Sequence, residues 1–148
     1  MTLVRLATFN CENLFARFKF NKNIDTNKAI ENGWAANETY FDILKEKEKK
    51  FTASAIKATN ADIIALQEVE NLPALREFTN RYLKKQGYNQ MIVIDGNDPR
   101  FIDVGVLSRY DIDNIDTHIH EKDDGQSRYP LFSRDCLECD IVLPDKKG

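Results

Sequence analysis

No charge of one sign dominates this chain: 21 Lys and Arg stand against 24 Asp and Glu, a net charge of −3. That balance excludes the global basic field of a tight nucleic-acid-binding module, although an enzyme can still meet phosphates through a local site. Long apolar runs are missing too. None approaches the roughly 18 residues that a membrane span needs. The N-terminus enters a strand pattern by Val4 with no charged segment leading into an apolar one, so no export signal is expected. Cysteine is scarce and odd in number: Cys11, Cys136 and Cys139. A disulfide-stapled secreted domain carries more, in even count. Cys136-x-x-Cys139 has the spacing of half a zinc site, but it lies in a strand-like run, Cys136 to Leu143. There, positions i and i+3 point to opposite faces, and no second Cys pair or nearby His completes a site. Reduced structural thiols and a cytoplasmic setting are the expectation. Internal repeats, low-complexity tracts and interdomain linkers are also absent.

What is present is a chain of 148 residues, 42% hydrophobic, enough for one domain (residues 1–148) with its own core. Asp62 to Gln67 is a short continuous apolar run, as expected of a strand covered on both faces, and it delivers Glu68 at its end. Val4 to Phe9 is a second strand, ending in Asn10-Cys11-Glu12-Asn13. Two strands that both end in oxygen-bearing side chains can set those oxygens side by side, which is how a pocket for a hard cation is built. Ligands of α/β sheets gather at the carboxyl ends of strands. A capping role for Glu68 and a turn role for Asn10 stand beside this reading.

Tyr40 to Thr59 predicts a helix. Phe41, Leu44, Phe51, Ala55, Ile56 and Ala58 form its apolar face, and the alternating charges of Lys45 to Lys50 its solvated one. A second helix follows, with Asn71 as N-cap, Pro73 in the first turn, Leu75, Phe78, Tyr82 and Leu83 on one side, and Gly87 as its stop. Met91–Ile94, Ile102–Ser108, Ile112–His120 and Cys136–Leu143 read as strands. Turns at Asp95-Gly96, Asn97-Asp98-Pro99 and Asp124-Gly125-Gln126 separate them, and Asn32-Gly33 marks a turn in the polar stretch Ala16 to Glu38. This order predicts an α/β or α+β layered domain with a mixed sheet. Gly105, inside a strand, marks a bulge or the close approach of another group. His118 and His120 share a strand face but lack a third metal partner, so exposure on an edge strand is expected. Arg134 stands where the last strand begins; Arg is the side chain best shaped to grip a phosphate, and a lone Arg there is also an ordinary surface residue.

Three blocks in order carry a family resemblance: Thr8 to Phe15 (TFNCENLF), Leu66 to Asn71 (LQEVEN), and Ile102 to Arg109 (IDVGVLSR). Together they resemble the endonuclease/exonuclease/phosphatase superfamily, the enzymes with the fold of DNase I and the exonuclease III-type repair nucleases. The resemblance implies a four-layer α-β-β-α sandwich, of which this chain would be the N-terminal half. It implies a divalent-metal-dependent phosphoesterase hydrolysing phosphodiester bonds, with Mg²⁺ as cofactor and Mn²⁺ as its substitute. Glu68 matches the metal-binding glutamate, and Asn10 the asparagine beside metal and scissile phosphate. Glu12 falls where some relatives carry a second acidic residue. Arg134, in Phe132-Ser133-Arg134-Asp135, is similar to the arginine that touches phosphate oxygens. Arg100 and Asp103 lie in a motif-like stretch and receive no role.

The family's later motifs (a His on the next core strand, Gly-Asp-x-Asn and Ser-Asp-His) do not occur here, so whether this chain is itself an enzyme stays open. Pro144 to Gly148 reads as a turn into an absent strand. The expectation is an incomplete domain whose uncovered sheet face pairs with itself or another chain. The alternative is a catalytically inactive, truncated domain acting only through association. DNA, RNA, phosphoinositide and sphingomyelin all remain candidate substrates.

Overall fold

The computed structural model describes residues 3–16, 18–20, 41–43, 45–123 and 128–143. The turns at Asn32-Gly33, Asp124-Gly125-Gln126 and Pro144–Gly148 lie outside these residues.

The two apolar runs meet. Strand β1 (Leu6–Leu14) lies parallel to β4 (Ile63–Val69), with Leu6 opposite Ile63 and Asn10 opposite Gln67. Between them in sequence come a short antiparallel pair, β2 (Phe18–Phe20) with β3 (Phe41–Ile43), and helix α1 (Glu46–Thr59). After β4 come helix α2 (Leu72–Tyr82) and strands β5 (Gln90–Ile94), β6 (Asp103–Ser108), β7 (Asp111–Asp116) and β8 (Glu138–Val142). Strand β6 runs antiparallel to both β4 and β5, giving a mixed four-stranded sheet in the order β1-β4-β6-β5. Strands β7 and β8 form a separate antiparallel pair. The mixed α/β layering predicted from the element order is present.

The core lies on one side of that sheet. Ile64, Leu66 and Leu107 point there and are almost wholly buried with Ala53 and Ile56 of α1 and Leu75 and Phe78 of α2. Each such large aliphatic side chain contributes about 1.5–3 kcal/mol by leaving water. On the opposite face Leu6, Ile63, Ala65 and Val106 line an open cleft of about 460 Å³ with Leu137, Cys139 and Ile141. Strand β8 and the residues just before it therefore border this face. Two helices, the main sheet and two two-stranded sheets are what the described residues contain, and the four-layer sandwich is not seen in full among them.

Several local expectations need correction. Helix α1 begins at Glu46, and Phe41 belongs to β3. Its buried residues are Ala53 and Ile56, whereas Phe51 is 66% exposed with Lys47 over its ring. Helix α2 starts as predicted, the Asn71 side chain accepting from the Ala74 N–H at 2.8 Å, but it ends at Tyr82, before Gly87. Strand β7 ends at Asp116, so His118 and His120 are not on it. Strand β8 starts at Glu138; Cys136 precedes it, and Cys136 and Cys139 border the same cleft. Gly105 marks a close approach: a Cβ there would stand 2.8 Å from the Ile92 carbonyl oxygen and 2.9 Å from Val93 Cγ2.

Candidate active site

The ladder between β1 and β4 is regular up to Asn10 and Gln67, then slips in both strands. The register shifts between Asn10 and Leu14 in β1, and between Gln67 and Val69 in β4 against β6. The slip turns Glu12 (φ 51°), Asn13 (φ 62°) and Glu68 (φ 64°) into the left-handed region. A side-chain-bearing residue there costs roughly 1–2 kcal/mol. Bulges of this kind re-aim a side chain at the end of a strand. Glu68, whose neighbour Leu66 points into the core, is thus delivered to the sheet's edge with its side chain about 20% exposed.

Arg134 meets it there. One terminal nitrogen lies 3.6 Å from Glu68 Oε1, and its Nε donates to Asp98 Oδ2 at 3.3 Å. The loop carrying Arg134 is set by two contacts. Gly96 packs so tightly that a Cβ would fall 3.2 Å from the backbone of both Arg134 and Asp135, and Asp135 Oδ1 accepts the His118 N–H at 2.8 Å. Residues far apart in sequence, Glu68 and Arg134, are therefore neighbours.

Asp98 joins them, and sequence reasoning missed it because Asn97-Asp98-Pro99 reads as turn punctuation. Its side chain is only 3% exposed. Oδ1 accepts from the Arg100 N–H at 2.9 Å and from Arg100 Nε at 3.0 Å, and Oδ2 accepts from an Arg100 terminal nitrogen at 2.7 Å. Arg100, and then Arg134, hold this carboxyl well below the usual carboxylate range. An Asp before Pro with an Arg two residues on was the available signal, since Asx side chains bond the backbone two residues ahead. Asp103 is buried beside them and accepts the Gly96 N–H at 2.8 Å; burial pushes its carboxyl upward, with Asp95 and Asp98 adding to the effect.

Asn10 sits on the strand next to Glu68, its carboxamide oxygen accepting the Glu12 N–H at 2.8 Å. That bond fixes the bulge and leaves the amide NH₂ as the group suited to an anion. Glu12 is exposed and borders a small cleft with Cys11, Lys45, Glu48 and Lys49. Cys11 is buried beneath; burial and then the Glu68 charge push its thiol up to about 12, so it stays protonated and inert.

Among the described residues no group of three or more His, Cys, Asp or Glu is placed to hold a metal ion. The donor set where β1 bulges and β4 ends is the Glu68 carboxylate with the neighbouring Asn10 carboxamide, both hard oxygen donors. Mg²⁺ typically takes one or two carboxylates and completes its shell with water and substrate phosphate, so this set fits it. No helix among the described residues is long and apolar enough to cross a membrane.

A model of the Endonuclease/Exonuclease/phosphatase family matches residues 7–143. No curated protein and no solved structure matches the chain.

Proposed function

This chain belongs to the Endonuclease/Exonuclease/phosphatase family, whose members act on phosphoester substrates, and from that premise we propose that it carries part of the site of a divalent-metal-dependent phosphodiester hydrolase. The observation that carries the reading is the 3.6 Å approach of Arg134 to Glu68 across a strained strand end. A metal-binding carboxylate and a phosphate-binding guanidinium have to stand close enough for one phosphate to meet both the cation and the guanidinium.

Glu68 would hold Mg²⁺, or Mn²⁺ in its place, with Asn10 beside it and Glu12 as a further oxygen donor. When bound, the cation supplies Lewis-acid polarisation of a phosphoryl oxygen. Arg134 grips a non-bridging oxygen of the same phosphate, and the Asn10 amide donates to another. These donors are fixed before substrate arrives, by Asp98 on Arg134 and by the Glu12 N–H on Asn10. Preorganised donors of this kind stabilise the charge that builds as a water oxygen bonds to phosphorus and the ester P–O bond opposite breaks.

Turnover of a generic phosphodiester with Mg²⁺ tests the reading. Glu68→Gln is expected to lower it by roughly 10²–10³-fold, the scale of losing one principal electrostatic contact, with the circular-dichroism spectrum unchanged. A folded wild-type chain that turns over no diester would instead favour a domain acting through association alone.

A further inference from the structure

Resting on that phosphoesterase reading, we propose that Arg100 is a second phosphate-binding guanidinium of this site, and that Asp98 is the residue that positions Arg100 and Arg134 together. Both guanidinium groups lean on one oxygen, Asp98 Oδ2, at 2.7 Å and 3.3 Å. Their placement is therefore shared. Two guanidiniums so close repel each other unless a carboxylate lies between them, and Asp98 is that carboxylate, nearly sealed from water.

An exposed arginine is ordinarily free to wander. Arg100 is not: its side chain is 66% exposed, yet Asp98 takes its backbone N–H, its Nε and one terminal nitrogen. The Phe101 N–H to the Asp98 carbonyl, at 3.0 Å, closes the turn, and Phe101 itself sits at a φ of 55°. Holding a guanidinium rigid without covering it lowers the ordering entropy that a ligand would otherwise have to overcome. Of its five N–H donors, the edge away from Asp98 remains available to an acceptor. The Glu68 charge acts on Arg100 as it does on Arg134, so both cations belong to the same local field. The chemistry that answers two fixed forks side by side is a tetrahedral oxyanion, a phosphate taken by two of its oxygens.

The test is titration of the metal-free protein with dimethyl phosphate, read by calorimetry, alongside steady-state kinetics on a generic diester. Arg100→Gln should weaken dimethyl phosphate binding about tenfold and raise KM with little change in kcat, as expected for uniform binding. Asp98→Asn should weaken binding and lower kcat as well, because Arg134 loses its support. If Asp98→Asn does not fold, Asp98→Glu replaces it: the charge stays and the carboxylate moves by one methylene. Unchanged affinity and KM in folded Arg100→Gln would overturn the second phosphate contact. Wild-type affinity and kcat in a folded Asp98 variant would overturn the positioning role. Glu68→Gln separates the two levels. If it abolishes turnover while Arg100→Gln behaves as wild type, only the clamp is wrong. If the wild-type chain turns over no diester, the hydrolase reading fails and the titration still decides the clamp.

Discussion

Strand β4 has an arginine–carboxylate cluster at each end, and the two are built differently. At its start, Arg109 donates to Asp62 Oδ1 at 2.9 Å, to the Gln86 carbonyl at 2.8 Å and to Asn60 Oδ1 at 3.1 Å, and lies over the Tyr88 ring. Asp62 in turn takes the Arg5 N–H at 2.8 Å, which leads the causes holding its carboxyl below the usual range. All three arms of that guanidinium are engaged, and the ladder beside it pairs Ile63 with Ser108 in register. At the other end Arg134 reaches Glu68 only at 3.6 Å, Arg100 keeps one edge in water, and the backbone of Glu68 is in the left-handed region. The same two residue types thus make a closed brace at one end and an open, strained site at the other. Incomplete coordination, more than charge itself, marks the end where a ligand would bind.

Exchanging the damage between the two ends sharpens this most. Glu68→Gln should give the largest effect, the hundredfold or greater loss of turnover stated above, with stability within about 1 kcal/mol, because the Arg134 contact is long at 3.6 Å and Gln keeps the side chain's size. Arg109→Ala should do the reverse. It leaves Asp62 and two further acceptors without their donor, and about 2–3 kcal/mol of stability should go. Urea denaturation midpoints and per-molecule turnover of the folded protein measure the two effects side by side. If Arg109→Ala lost activity at full stability, the brace would not be a brace.

A smaller effect separates strain from ligation at the bulge. Glu12→Gly removes the left-handed penalty of roughly 1–2 kcal/mol, offset by about 0.5–1 kcal/mol for the added freedom of the unfolded glycine. The net expectation is a stabilisation of between zero and about 1.5 kcal/mol by denaturant midpoint. If Glu12 holds metal, the same variant raises the Mg²⁺ concentration needed for half-maximal turnover. If that concentration does not move, Glu12 is a bulge residue and Glu68 the sole described carboxylate of the metal set.

The two ends also differ in how legible they were. β1 and β4 could be read because their apolar runs are unbroken, and Asn71 because its cap sits before a Pro. Glu68 closes an unbroken apolar run; Asn10 follows one too, although β1 continues past the expected stop at Phe9 to Leu14. Asp98 was hidden, since its partners come from a turn and from a residue on another loop, and no local period announces either. Phe51 misled because an aromatic at helical spacing looks like core, whereas Ala53 and Ile56 are what face the sheet. The alternation Ile112 to His120 was read as one long strand. Pairing with β8 shifts register between Asp113 and Asp116, and the ladder goes no further.

That shortened strand leaves His118 beside the open end, where it makes the smallest predicted effect. Its Nδ1 lies 2.7 Å from Glu121 Oε1 and its Nε2 3.5 Å from Glu138 Oε2, while its backbone N–H holds Asp135, next to Arg134. The hydrogen bond to Glu121 leads the causes that raise the imidazole above its ordinary value, with Glu138 adding to it. A raised folded value means that the charged ring favours the folded state. The contribution is full below about pH 6.5, the unfolded value, and is lost as pH rises through the folded one. Melting temperatures of wild type and His118→Gln should therefore differ most near pH 6 and converge toward pH 8. The exposure of both carboxylates keeps the difference to a few degrees or less. At the closed end the sign is opposite. Asp62 is depressed, so its contribution persists through this whole range and falls away only in acid. A gap between wild type and His118→Gln that stayed constant from pH 6 to pH 8 would mean that His118 supports the Arg134 loop by packing alone, and that the open end lacks a titrating clasp.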